Sequence, residues 1–133
     1  MNRILLLPAW IVVLLLFPLP AASSAFEISI DVAPYFLNIQ NAEGQVVTVH
    51  TSIAYEDVAA HTVYLNGVSI SDWKADDRGN FVGKFQMEEI KALPLYHNDY
   101  NSLTLDGITV DEKPFFGQTD IMVINVIPTA DQE

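Results

Sequence analysis

The stretch Val63–Phe85, VYLNGVSISDWKADDRGNFVGKF, decides the fold. Asn66-Gly67 stands between two short runs of β-type residues, and Asn-Gly is the preferred pair for a two-residue type I′ turn because both positions need φ > 0. Such a turn sets Leu65 opposite Val68 and Val63 opposite Ile70. Side chains alternate faces along a strand, so these four share one apolar face while Tyr64 and Ser69 pair on the other. A slip of one residue would break that agreement, so the register is specified. Beyond Trp73 the polar run Asp76-Asp77-Arg78-Gly79-Asn80 predicts a second turn. Phe81–Phe85 follows as a strand with Phe81, Gly83 and Phe85 on one face. The whole segment reads as three successive antiparallel strands.

Upstream, Phe26–Val32 alternates with Phe26, Ile28, Ile30 and Val32 on one face, which predicts a first strand. Pro34 interrupts it, and Tyr35–Ile39 continues it as a displaced edge segment, since proline is tolerated at edges and breaks. Asn41-Ala42-Glu43-Gly44 is a turn. Gln45–Ile53 is the next strand, with Val47, Val49, Thr51 and Ile53 inward. Tyr55–His61 is a polar crossing with one helical turn within Glu56–Ala60. Downstream, Met87, Ile90 and Leu93 mark one short helical face closed by Pro94. It is too short to stand without the sheets. Leu95–Asn101 is a loop, and Ser102–Val110 a strand with Leu103 and Leu105 inward and Asp106-Gly107 as a bulge or tight turn. Asp111–Pro114 turns the chain. Phe115–Ile127 is the last strand, and Ile121–Ile124 is apolar on both sides, which predicts a central position. Thr129–Glu133 is a polar tail.

The chain has 133 residues and half of them are apolar, enough for one domain with its own core. It has no cysteine, which removes disulfides, thiolate metal sites and a cysteine nucleophile. Met1–Ala25 reads as a secretory signal peptide: Arg3 supplies the positive start, Ile4–Phe17 the apolar run, and Ser23-Ser24-Ala25 the small residues of a cleavage site. A retained membrane anchor is the competing reading, but the run is shorter than the roughly 20 residues a spanning helix needs. The sequence therefore predicts two segments: 1–25 a leader, and 26–133 an exported domain, secreted or periplasmic, with no stable membrane insertion after cleavage. After residue 25 stand all 17 carboxylates and five of the six basic residues, a formal charge of −12. A field of that sign repels nucleic acid and anionic lipid.

About seven strands with turn signals every eight to twelve residues predict an all-β fold, an immunoglobulin-like or fibronectin III-like antiparallel β-sandwich with one short helical turn. The Cys…Trp…Cys pattern of antibody domains is missing, and an open barrel is the alternative architecture. Leu65-Asn66-Gly67, then Arg78-Gly79-Asn80-Phe81-Val82 leading into Lys84-Phe85, then Leu103-Thr104-Leu105-x-Gly107 followed by Phe116-Gly117 and Asp120-Ile121, resemble a poorly characterised immunoglobulin-like module of secreted bacterial and archaeal proteins. The likeness spans most of Val46–Ile127. It implies a sandwich and no assigned activity. Related modules sometimes carry a longer calcium-type loop where this chain has Ala75–Asn80.

Asp76, Asp77 and Asn80, with Asp72, are the weak calcium candidates. Calcium takes six to eight oxygens, usually from alternating loop positions. This loop lacks that spacing and contains Arg78, so a β-turn in which Asp and Asn bond their own backbone is the favoured reading. His50, His61 and His97 form no ligand motif. Asp99, Asp106, Asp111 and Glu112 are acidic residues at loops, with a carboxylate pair at one end of the sandwich as the functional reading. No Gly-x-Ser-x-Gly and no phosphate loop is present, so no catalytic residue and no cofactor is assigned. Trp73 is the weak ligand candidate, as a ring on which a sugar stacks, against burial in or over the core. The expectation is a non-catalytic exported structural or interaction module whose partner is another exported or cell-envelope protein. The alternative is a calcium- or carbohydrate-binding module built on Ala75–Asn80, Trp73 and the Tyr96–Asn101 loop.

Overall fold

The computed structural model describes residues 24–41 and 45–127. Residues 1–23 of the expected leader, residues 42–44 of the expected turn after Asn41, and the tail after Ile127 lie outside the described residues. Among the described residues there are ten strands: β1 Phe26–Glu27, β2 Ile30–Ala33, β3 Phe36–Asn38, β4 Val46–Ala54, β5 Tyr64–Leu65, β6 Val68–Ser69, β7 Asp72–Ala75, β8 Asn80–Gln86, β9 Asp99–Ile108 and β10 Pro114–Ile124. One short helix, α1 Met87–Lys91, joins β8 to β9. The strands form two sheets. The smaller has the order β2-β4-β8-β7, the larger β1-β10-β9-β5-β6, with β3 also on β10. These are the A-B-E-D and C-F-G orders of an immunoglobulin-type sandwich.

The Asn66-Gly67 corner forms as read. Asn66 and Gly67 have φ of 46° and 85°, and the turn pairs Leu65 with Val68 and Tyr64 with Ser69. Val63 and Leu65 are fully buried, and Ile70 packs against the core. Val47, Val49, Thr51 and Ile53 face inward along β4, as do Phe81 and Phe85 along β8 and Leu103 and Leu105 along β9. Residues of both sheets, with Met87 and Ile90 of α1, make one apolar cluster. β10 is central in its sheet, between β9 and the pair β1 and β3.

Three readings are corrected. The three strands of Val63–Phe85 do not run side by side. β5 and β6 belong to the larger sheet and β7 and β8 to the smaller, so the chain crosses the sandwich after Ile70. Phe26–Val32 likewise is two strands, β1 parallel to β10 and β2 antiparallel to β4. At this crossing Ile28 N–H donates to Phe116 O at 2.8 Å, and Ser52 N–H to Ser29 O at 3.0 Å. Gly117 makes room for it: a Cβ there would lie 2.6 Å from Ile30 Cγ2 and 2.9 Å from Ile28 O. Finally, Asp106-Gly107 is neither bulge nor turn. The β9–β10 register runs unbroken from Ile108 to Asp99, with Gly107 opposite Phe115. A Cβ on Gly107 would meet the Phe115 ring at 2.7 Å, so this glycine serves packing and not a bend.

The Tyr55–His61 crossing contains two 3-10 turns, Tyr55–Asp57 and Ala60–Thr62, anchored by buried Val58, which bridges to Thr109. The corner before β9 is held by Asn101. Its amide bonds the backbone of Tyr96 at the place where antibody domains use a tyrosine hydroxyl bonded to upstream backbone.

Candidate functional site

Directly paired residues on neighbouring strands point to the same side, so the ladder register lays out the outward face of each sheet. On the smaller sheet one row is Asp31, His50, Val82 and Lys74, and the next is Ala33, Thr48, Lys84 and Asp72. That face mixes both signs of charge with hydroxyls. On the larger sheet one row is Phe36, Met122 and Tyr100, and another is Glu27, Phe116, Asp106, Tyr64 and Ser69. Between them Gln118 donates to the Ser102 hydroxyl. Pro114 and Ile108 close the far end. Aromatic and aliphatic side chains stand toward the two ends of this face, with Gln118, Thr104, Asp120 and Ser102 between them, and its charged members Glu27, Asp106 and Asp120 are all acidic. Phe36 is 62% exposed, Tyr100 54% and Tyr64 40%. Two groups of large side chains on one outward face, Phe36, Met122 and Tyr100 and then Phe116 and Tyr64, mark an interaction surface more than scattered ones do.

The aromatic end has its own geometry. The rings of Tyr35 and Phe36 meet edge to face at 5.0 Å, an arrangement that suits the ring quadrupole. Hydrogen bonding with the Tyr100 side chain holds the Tyr35 hydroxyl pKa above its usual value, with smaller contributions from desolvation and from nearby Asp120. β3 exists as an edge strand here because Met122 N–H donates to Tyr35 O at 2.9 Å and Ile39 N–H to Ile124 O at 3.0 Å.

The residues singled out in the sequence fall elsewhere. Asp76 accepts the N–H groups of Arg78 and Asn80 on Oδ1 at 2.8 and 2.9 Å. Its own N–H donates to Asn80 O, and Gly79 N–H returns to Asp76 O. The backbone bond from Asn80, then that from Arg78, holds the Asp76 carboxyl below its usual value against an opposing desolvation. The Asp76 carboxylate thus closes its own turn. Asp77 is exposed, and Asp72 sits at the other end of β7, accepting Trp73 N–H at 2.8 Å. The structure does not converge these oxygens. Among the described residues no group of three or more His, Asp or Glu is placed to hold a metal ion.

Trp73 lies on the edge strand β7, opposite Gly83 and 40% exposed. It shares the inward side of Phe81 and Phe85 at the rim of the sandwich, so it is neither core nor outward platform. It does not line the cleft formed by Leu93–Tyr96, Tyr100–Ser102 and Asn66. In that cleft the Asn66 and Asn101 amides are already bonded to backbone. Asp99 and Asp106 stand at opposite ends of β9, roughly 23 Å apart at the strand rise. They are not a carboxylate pair.

What the sequence did not reveal is a cleft of about 630 Å³ on the aromatic face, lined by Tyr64, Asp106, Phe116, Pro114, His61 and Thr62 among others. Desolvation by its surroundings raises the Asp106 carboxyl above its usual value. Tyr64, Asp106 and Phe116 are far apart in the chain, and only the pairing of β5, β9 and β10 brings them into one row.

Among the described residues no helix is long and apolar enough to cross a membrane. Compared with family models, with curated proteins and with solved structures, the chain matches none of them.

Proposed function

We propose that this chain is a non-catalytic exported module, secreted or periplasmic, that binds another exported or cell-envelope protein through the outward face of its larger sheet. The observation that carries the reading is the contrast between the two outward faces. One bears Phe36, Met122, Tyr100, Phe116 and Tyr64 in cross-strand rows, the other His50, Thr48, Lys84, Asp72 and Lys74. At a strand spacing near 4.8 Å and a rise near 3.3 Å, the whole outward face, polar middle rows included, measures about 20 by 30 Å. Its area of about 600 Å² approaches the ~800 Å² per partner of a standard interface. The resemblance to a secreted immunoglobulin-like module and the leader-type N-terminus agree with export.

The test is crosslinking and co-purification from the exported fraction of cells making the full chain. Phe36→Lys and Tyr100→Lys alter the aromatic face; His50→Lys and Ser52→Lys alter the other by the same charge. A partner recovered with the second pair and lost with the first supports the reading. Equal recovery from both pairs, or no reproducible partner, removes it.

A further inference from the structure

The cleft at Asp106 has the composition of a receptor for one particular side chain. In the row Phe116, Asp106, Tyr64 the carboxylate stands between two rings, each directly opposite it across a strand pair. The two ring-bearing positions are two strand spacings apart, about 10 Å. The groove between them, about 630 Å³, has no Lys or Arg in its lining. Lys113 is the nearest cation along the chain, but it lines the neighbouring cleft with Asp57 and Asp111. Lys74 and Lys84 belong to the smaller sheet, Arg78 to its β7–β8 turn, and Lys91 to the end of α1. Among the described residues no hydrogen bond reaches the Asp106 carboxylate, and its surroundings disfavour its charge. The cleft therefore sets a carboxylate between two rings, with no Lys or Arg in its lining and His61 its one basic side chain.

We propose that this cleft binds an arginine side chain presented by the protein partner of the aromatic face. A guanidinium is planar and weakly hydrated, stacks on aromatic faces, and meets a carboxylate with two parallel N–H donors. Phe116 and Tyr64 supply the walls and Asp106 the floor. A lysine ammonium gains less, because it holds its water more strongly and has no face to stack. Complementarity also holds over the wider surface, where Glu27, Asp106 and Asp120 are all acidic. Such pairing adds to association rate and orientation as well as affinity. The proposal rests on the interaction reading above and identifies the chemistry of the partner's anchor.

The probe is N-acetyl-arginine amide, with N-acetyl-citrulline amide as its uncharged isostere. The protein, made from the full chain with isotope labelling, is titrated with each and followed by amide NMR shifts. Arginine amide is expected to give saturable shifts grouped around Tyr64, Asp106 and Phe116, and citrulline amide to bind about tenfold more weakly. Asp106→Asn should reduce that preference to less than about twofold, while Asp31→Asn, the same charge change on the other sheet, should leave it intact. Spectral dispersion confirms that each variant is folded. No saturable shifts at the row, shifts spread evenly over the acidic surface, equal binding of the two amides, or an unchanged preference in Asp106→Asn would each overturn the proposal. The interaction reading is judged separately, by co-purification with the face variants, so the two can fail independently.

Discussion

The side-chain amide of Asn101 clasps the backbone of Tyr96 from both sides: Tyr96 N–H donates to Oδ1 at 2.7 Å and Nδ2 donates to Tyr96 O at 2.8 Å. Nδ2 also reaches Asp99 O at 3.2 Å, and Asn101 is buried. Asn101→Ala leaves one donor and two acceptors in need of partners, and should cost about 2 kcal/mol, lowering Tm by about 10 °C for a domain of this size. Asn101→Asp is the sharper variant. It keeps the acceptor for Tyr96 N–H but turns a charged oxygen toward two carbonyls. Its destabilisation should be at least as large at neutral pH and should shrink on acidification, when the protonated acid regains a donor. Urea unfolding at two pH values measures both.

Asn66 does two jobs, and they separate by substitution. Its left-handed backbone makes the turn with Gly67. Its side chain extends the pairing with β9, accepting Thr104 N–H at 2.7 Å and donating to Ser102 O at 3.3 Å. Asn66→Gly preserves the backbone and loses the clasp, for about 1 kcal/mol. Asn66→Ala loses the clasp and strains the backbone, and should cost about 1 kcal/mol more. Equal losses in the two variants would show that the clasp, not the turn, is what Asn66 contributes.

Three glycines should rank by what their missing Cβ would strike. At Gly117 it meets a backbone oxygen, Ile28 O at 2.9 Å, as well as Ile30 Cγ2 at 2.6 Å. At Gly107 it meets the Phe115 ring at 2.7 Å, and at Gly83 its nearest neighbour is the Ile70 methyl end at 3.0 Å, with the Phe81 and Phe85 rings at 3.4 Å. Backbone cannot step aside without moving the sheet crossing, a ring moves with difficulty, and a methyl end moves easily. Gly117→Ala and Gly107→Ala should each cost about 1–3 kcal/mol by overpacking, with Gly117→Ala the worse, and Gly83→Ala less than about 1 kcal/mol. Chemical denaturation midpoints of the three variants give the order directly.

Two of the sheet crossings, after Glu27 and after Ile70, explain why so much of the fold was legible and its connections were not. Phe26, Ile28, Ile30 and Val32 keep a two-residue rhythm although the chain changes sheet among them. Both sheets face one core, so a chain that passes from one to the other keeps the same inward side. Alternation therefore reports which residues face the core and is silent on which sheet holds them. The same holds after Ile70, where the rhythm set by Val63 and Leu65 gives way to Trp73 at the rim. The turn at Asp76–Asn80 was legible because Asp, Gly and Asn act on backbone within five residues. The row Phe116, Asp106, Tyr64 was not, because its members meet only through long-range pairing. Gly107 misled for a related reason: a glycine kept clear for the Phe115 ring looks, in one dimension, like a glycine kept for a bend.

Two aspartates should shift stability with pH in opposite directions. Asp106 has a raised carboxyl pKa in the folded protein. As pH rises past the ordinary carboxylate value near 4, the unfolded chain releases that proton before the folded one does. Stability therefore falls between the unfolded and folded pKa values and stays lower above them. Asp106→Asn should remove this loss, raising neutral-pH stability by about 0.5 kcal/mol or less because the side chain is exposed. Asp76 has a lowered carboxyl pKa, through the N–H groups of Asn80 and Arg78. Its contribution is complete above the unfolded value and is lost as pH falls through the lower folded one. Asp76→Ala should therefore destabilise at neutral pH and differ least from the parent in strong acid, while Asp106→Asn should differ most at neutral pH with the opposite sign. Urea midpoints measured across the acid range test both. A loss of stability at neutral pH in Asp106→Asn would mean that its carboxylate already has a favourable partner, and would count against a site waiting for an arginine.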